Sequence, residues 1–142
     1  MKKLTVALFA FALLLSSCTK DNAVSVENMQ KTVTKGSWKA TTFIESGTNQ
    51  LSDISGYVFT FDDNGTLKAV KSGATITGTW TVGEGSGDDS ESHIQLNINF
   101  TTDPLTEIAD DWHVLSVSSS KVELEDVSGG NGGTDELVLE KK

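Results

Sequence analysis

Residues 74 to 82 read ATITGTWTV, and alternation this strict leaves few folds open. Ala74, Ile76, Gly78, Trp80 and Val82 point one way, and Thr75, Thr77, Thr79 and Thr81 point the other. A strand turns successive side chains to opposite faces, so this one has a buried face and a wet face. Residues 93 to 100, HIQLNINF, repeat the pattern, with Ile94, Leu96, Ile98 and Phe100 against His93, Gln95, Asn97 and Asn99. Neither segment suits a parallel sheet covered on both sides, which takes continuous apolar runs.

Six further segments read as strands: 37–44, 56–62, 65–72, 112–118, 121–126 and 135–141. Most links between them are short and rich in Gly, Ser, Asn and Asp, so sequence neighbours are expected to pair antiparallel. Asp63-Asn64-Gly65 is a strong tight-hairpin signal, because Asn and Gly tolerate positive φ. A meander of eight strands with one apolar face must hide that face. Closing the sheet hides it and removes both edges. The expectation is an all-β domain over residues 36–142, an eight-stranded antiparallel up-and-down β-barrel. The interior of such a barrel is just wide enough for side chains or for one small ligand.

Two links are long. Residues 83–92, GEGSGDDSES, read as a flexible acidic hairpin loop. Residues 101–111 are expected to hold a short helix covering one end of the barrel. Asp103 is placed as its N-cap, Pro104 at the first helical position, and Leu105 and Ile108 one turn apart. The glycine-rich stretch 129–133 reads as a hairpin tip.

The chain begins MKKLTVALFAFALLLSSC. Two lysines, a twelve-residue stretch from Leu4 to Leu15 in which only Thr5 is not apolar, and two small residues are the marks of a secretory signal peptide. The run is too short to span a bilayer as a helix, which takes about 20 residues. Leu15-Ser16-Ser17-Cys18 resembles the lipobox of bacterial lipoproteins. That resemblance implies a diacylglyceryl thioether on Cys18, cleavage before it, and acylation of the new amino end. A single acyl chain holds a protein only marginally at a membrane, at about 0.8 kcal/mol per buried CH2, whereas a diacylated cysteine anchors it stably. Residues 1–17 are therefore expected to be removed. Residues 18–35 read as the lipidated cysteine and a tether, with one short helix capped by Ser25 and carrying Val26, Met29 and Val33 on one face.

The formal charge is −9, and there is no arginine. Loss of Lys2 and Lys3 makes the mature chain more negative still. Nucleic-acid binding is excluded as an expectation, because phosphate neutralisation takes a basic surface. Attraction to an anionic membrane is likewise not expected, so the lipid must supply the attachment. Cys18 is the only cysteine, and once acylated it leaves no thiol for a disulfide, a zinc site or a nucleophile.

Gly36-Ser37-Trp38 opens the first strand, and Tyr57-Val58-Phe59-Thr60-Phe61 runs into Asp63-Asn64-Gly65. Gly78-Thr79-Trp80 follows, then Trp112-His113-Val114 and Lys121-Val122-Glu123-Leu124. This order resembles the lipocalin-like domains of small lipoproteins from Bacteroidetes-type bacteria, over about residues 36 to 141. The resemblance implies a lipocalin-like barrel, often of unknown ligand, with Gly36, Trp38, Gly78, Trp80 and Trp112 as its motif residues. It also implies a lipid-anchored envelope protein, expected at the outer membrane on its periplasmic or surface side. Lys20-Asp21 is faintly similar to the tether signals of surface-exposed lipoproteins. One departure stands out: true lipocalins close their first-strand Trp with an Arg from a late strand, and no Arg exists here.

The candidate ligand-binding residues are Trp38, Phe59, Trp80 and Trp112. Their rings would stack on a glycan or other planar or apolar molecule, or else simply fill the barrel. Asp88, Asp89 and Glu91 are oxygen donors of the kind calcium takes, but without EF-hand spacing, so a solvated loop is expected. Asp62-Asp63-Asn64-Gly65 reads as a turn rather than a metal site. His93 and His113 show no H-x-H or HExxH spacing, and no G-x-S-x-G elbow, S-x-x-K or phosphate-cradling loop occurs. No metal, cofactor or catalytic residue is expected, and a monomer is. Two readings remain: a barrel binding a small ligand in its mouth, or a filled barrel acting on an envelope protein through loops 83–92 and 101–111. An enzyme, with a metal on Asp88, Asp89 and His93, ranks below both.

Overall fold

The alternating segments do form strands, and they turn most of their apolar residues to one common interior. The computed structural model describes residues 24–85, 93–127 and 133–142. Its strands are β1 (Trp38–Glu45), β2 (Thr48–Asn49), β3 (Val58–Phe61), β4 (Thr66–Lys71), β5 (Ala74–Gly85), β6 (His93–Asn99), β7 (Asp111–Val117), β8 (Lys121–Val127) and β9 (Thr134–Lys141). From β3 to β9 every strand pairs antiparallel with its sequence neighbour. β1 pairs antiparallel with β3 on one side and with β9 on the other, from Trp38↔Lys141 to Ile44↔Glu136. That last pairing closes eight strands into the expected barrel. The two-residue β2 lies outside it, as a short hairpin returning along the end of β1.

Local chemistry sets the turns. Ser46-Gly47 and Ser72-Gly73 each place two consecutive residues at positive φ between paired strands, the geometry of a two-residue type I′ hairpin. The Asp63-Asn64-Gly65 hairpin forms, but only Gly65 carries a positive φ, of 83°. Its amide donates to the Asp62 carbonyl at 3.0 Å. Asn64 instead accepts a hydrogen bond on Oδ1 from the Thr66 amide at 3.0 Å. This is the three-residue loop ending in a left-handed glycine, and asparagine acts by its side chain rather than by its backbone.

Three short helical segments accompany the strands. Helix α1 (Val26–Val33) is the expected one, with the Ser25 side chain accepting from the Asn28 amide. It is not merely a spacer. Met29 and Val33 are fully buried in the same core as the barrel residues, so the packed body includes chain upstream of Gly36. Helix α2 (Leu51–Ile54), which the periodicity did not announce, buries Ile54. The segment at Leu105–Ile108 is a 3₁₀ turn rather than an α-helix, and Pro104 rather than Asp103 occupies its cap. The Asp103 carboxylate accepts from the Thr106 hydroxyl, so it serves a local turn. Leu105 and Ile108 are buried as expected.

The core contains Trp38, Trp80, Trp112, Phe43, Phe59, Phe61 and a shell of aliphatic residues, and no polar side chain is buried among the described residues. Phe61 meets Trp80 edge-on, with centroids 5.5 Å apart. Among the described residues no helix is long and apolar enough to cross a membrane. Replacing Met29 by Ala removes a fully buried side chain and should cost about 2–5 kcal/mol of stability in urea unfolding. A change within experimental error would mean that α1 is not part of the cooperative unit.

Candidate functional site

Each of the three tryptophans combines a large apolar ring with one N–H donor that must find a partner when buried. Trp38 Nε1 donates to the Val33 carbonyl at 2.9 Å, at the end of α1. Trp80 Nε1 donates to the Asp62 carbonyl at 3.0 Å, in the β3–β4 turn. Trp112 Nε1 donates to the Ile108 carbonyl at 3.0 Å, at the end of the 3₁₀ turn. All three N–H groups are thus spent on the segments that connect or cover the barrel.

The two G-x-W motifs have separate physical explanations. Gly36 adopts φ +91° between α1 and β1, which L side chains rarely do. Gly78 sits where an added Cβ would lie 2.3 Å from the Asn99 carbonyl oxygen and 2.6 Å from the Phe100 ring. Its missing side chain lets Phe100 pack against β5. Trp38 is also closed from outside. Lys141 Nζ stands 5.7 Å from the ring centroid, a cation over an aromatic face.

Of the four candidate ligand-binding residues, Trp38, Phe59 and Trp112 lie in the core, between 0% and 2% exposed. Trp80 is 6% exposed and borders an open groove of about 330 Å³ between α1 and the β3–β4 turn. Glu27, Gln30, Lys31, Thr34 and Asp63 complete that groove, so its lining is mainly polar. A second groove of about 240 Å³ lies on the outer face of β7, β8 and β9. Leu115, 52% exposed, sits there with Val138 beside Glu123, Glu125 and Glu136. Cys18 and the acidic residues Asp88, Asp89 and Glu91 lie outside the described residues, as does most of the 129–133 tip.

Two clusters of titratable groups emerge that no linear spacing announces. His93 on β6 and His113 on β7 meet on the outer face, with ring centroids 3.8 Å apart and planes tilted by 45°. Asp110, Asp111 and Asp126 bring one carboxylate oxygen each within 4.8 Å of one another, where β7 begins and β8 nears its end. The Asp110 carboxyl is held above its ordinary value, and the largest cause is partial desolvation, although the residue as a whole is exposed. The Asp111 amide opposes the shift by donating to Asp110 at 2.8 Å, while the Asp111 and Asp126 carboxylates add to it. Glu123 goes the other way: Lys121 and then Ser116 donate to its carboxylate and hold it below its ordinary value.

The sign at Asp110 follows from linkage. A carboxyl whose value is raised on folding resists ionisation in the native state, so above that value its charge opposes folding. The penalty is relieved as pH falls through the raised value toward that of the unfolded chain. Asp110→Asn keeps the Oδ1 acceptor and removes the charge. It should raise the thermal midpoint at pH 7 by the equivalent of up to about 1 kcal/mol, the range of exposed charge interactions. The gain should shrink as the pH approaches 3, in parallel thermal melts of both proteins. An unchanged midpoint at pH 7 would mean that neither desolvation nor the neighbouring carboxylates penalise the Asp110 charge appreciably.

No protein-family model matches the chain, and no curated protein does. A similar solved structure is that of a DUF4847 family protein from Bacteroides vulgatus ATCC 8482, with a TM-score of 0.51 and 18% sequence identity over 80% of this chain and 97% of that one. At that identity the likeness is one of fold, and it fits the Bacteroidetes-type barrel that the G-x-W pattern resembles.

Proposed function

We propose that this protein is a lipid-anchored lipoprotein of the bacterial envelope, held by Cys18, whose barrel is a filled, non-catalytic scaffold acting on an envelope protein partner through its outer surface. The observation that carries this reading is the fate of the tryptophans. A ring that stacks on a ligand must present a face, and a ring that recognises a polar ligand gains from a free N–H. Here three rings are buried together and three N–H groups are bonded to backbone carbonyls. Exposed Leu115, framed by Glu123, Glu125 and Glu136, gives the outer face an apolar contact point with a charged rim, the anatomy of a protein interface. The outward threonines of β5 and the apolar interior are the reverse of a membrane-spanning barrel, which favours attachment by lipid.

A second reading keeps a small ligand at the α1 end of the barrel, in the groove beside Trp80. The polar lining of that groove suits a glycan better than an apolar molecule. Native mass spectrometry of the protein isolated gently from its host separates the two. A mass equal to that of the lipidated polypeptide alone is expected, and a small molecule lost only on denaturation would overturn the filled-barrel reading. The anchor is tested independently. Cys18→Ala should move the protein from the membrane pellet to the soluble fraction, and continued sedimentation with membranes would rule out lipid attachment at Cys18.

A further inference from the structure

We propose that His93 and His113 form a binding site for a divalent transition-metal ion on the outer face of the barrel, taking Cu2+, Ni2+ or Zn2+ rather than Ca2+ or Mg2+. The register of β6 against β7 creates it. Gln95 lies opposite His113, so His93, two residues away on the same face, is the diagonal neighbour of His113. Diagonal neighbours on an antiparallel pair lie about 7–8 Å apart at the backbone, within reach of ring side chains. The rings have closed that distance to 3.8 Å between centroids. Small rotations then bring one nitrogen of each to the ~2.0–2.1 Å at which imidazole binds such an ion.

The backbone on either side supports the pair. Gly85 is the register partner of His93 on β5, and a Cβ there would fall 2.4 Å from His93 Nε2. The absent side chain is the space that this nitrogen occupies, which makes Gly85 a positioning residue. On the other side, Glu125 of β8 lies directly opposite His113 in register. Glu125 is placed to fix the orientation of the His113 ring, as carboxylates do for metal-binding imidazoles. Both histidines are half-buried, so their rings are restrained without losing access to solvent. The formal charge of −9 concentrates cations around the molecule.

The donor type sets the selectivity. Imidazole suits copper, nickel and zinc, with copper bound most tightly among divalent ions of the series, whereas calcium and magnesium take oxygen donors. The oxygen-only cluster of Asp110, Asp111 and Asp126 thus provides an internal contrast.

The test uses the full-length chain in detergent, without a histidine tag. Titration with Cu2+ followed by electron spin echo spectroscopy should show the remote nitrogens of two imidazoles, a readout that needs no variant. In calorimetry, His93→Gln, His113→Gln and Gly85→Val should each weaken Cu2+ and Ni2+ binding by more than about tenfold, since loss of a supporting group alone typically costs 10- to 100-fold. Asp126→Asn should leave both affinities unchanged, and Ca2+ at about 1 mM should not compete. Copper coordinated without two imidazoles would overturn the proposal. So would a His93→Gln/His113→Gln double variant that binds Cu2+ as tightly as the unaltered protein.

Discussion

Three indole N–H groups and three backbone carbonyls hold the parts of this protein together. A buried tryptophan supplies more apolar area than any other side chain, about 150–250 Å² for an aromatic ring, but its N–H cannot be left unpaired. Helix ends and turns have the complementary problem, since their last carbonyls lack partners within the element. Trp38 and Trp112 each satisfy two groups at once, whereas the Asp62 carbonyl bonded by Trp80 also accepts from the Gly65 amide. Trp38 fixes the end of α1, Trp80 fixes the β3–β4 turn, and Trp112 fixes the 3₁₀ turn before β7. The barrel wall comes from strand pairing, while the closure of its ends comes from these bonds.

That arrangement has a consequence for function. Residues whose rings and N–H groups pack and seal a barrel are engaged by those contacts, and the interior of an eight-stranded barrel is just wide enough for side chains or for one small ligand. On the filled-barrel reading proposed above, contact with a partner is made on the outside. The outer surface carries three unlike features: an apolar and acidic groove on β7–β9, a polar groove against α1, and a histidine pair where β5, β6 and β7 run together. The fold shared with the Bacteroides vulgatus protein fixes none of these, because a barrel constrains its inward residues far more tightly than its outward ones.

The strands were legible because burial imposes a period of two, and 74–82 and 93–100 obey it almost without exception. Their boundaries moved by a residue or a few, most at β5, which continues to Gly85 because glycines can pair in a ladder although they carry no hydrophobic signal. The tiny β2 and α2 went unread, since two- and four-residue elements are too short to show a period. The short helix begins one residue later than Asp103-Pro104 implies, because a single acidic residue before proline does not say whether it caps a helix or closes a turn. The burial of α1 was partly legible in Met29 and Val33, but a lone amphipathic turn does not reveal what it packs against.

The sequence by itself determined the all-β class, the antiparallel meander, the Asp63-Asn64-Gly65 turn and most of the inward set of side chains. These depend on local sterics and on alternation, both of which act over a few residues. Only the tertiary structure decided the register in which β1 meets β9, that Lys141 covers Trp38, that α1 belongs to the core, and that His93 lies against His113. Each of these joins residues whose separation along the chain carries no periodic signal. Strand register, set by packing the whole interior at once, is what brings them together.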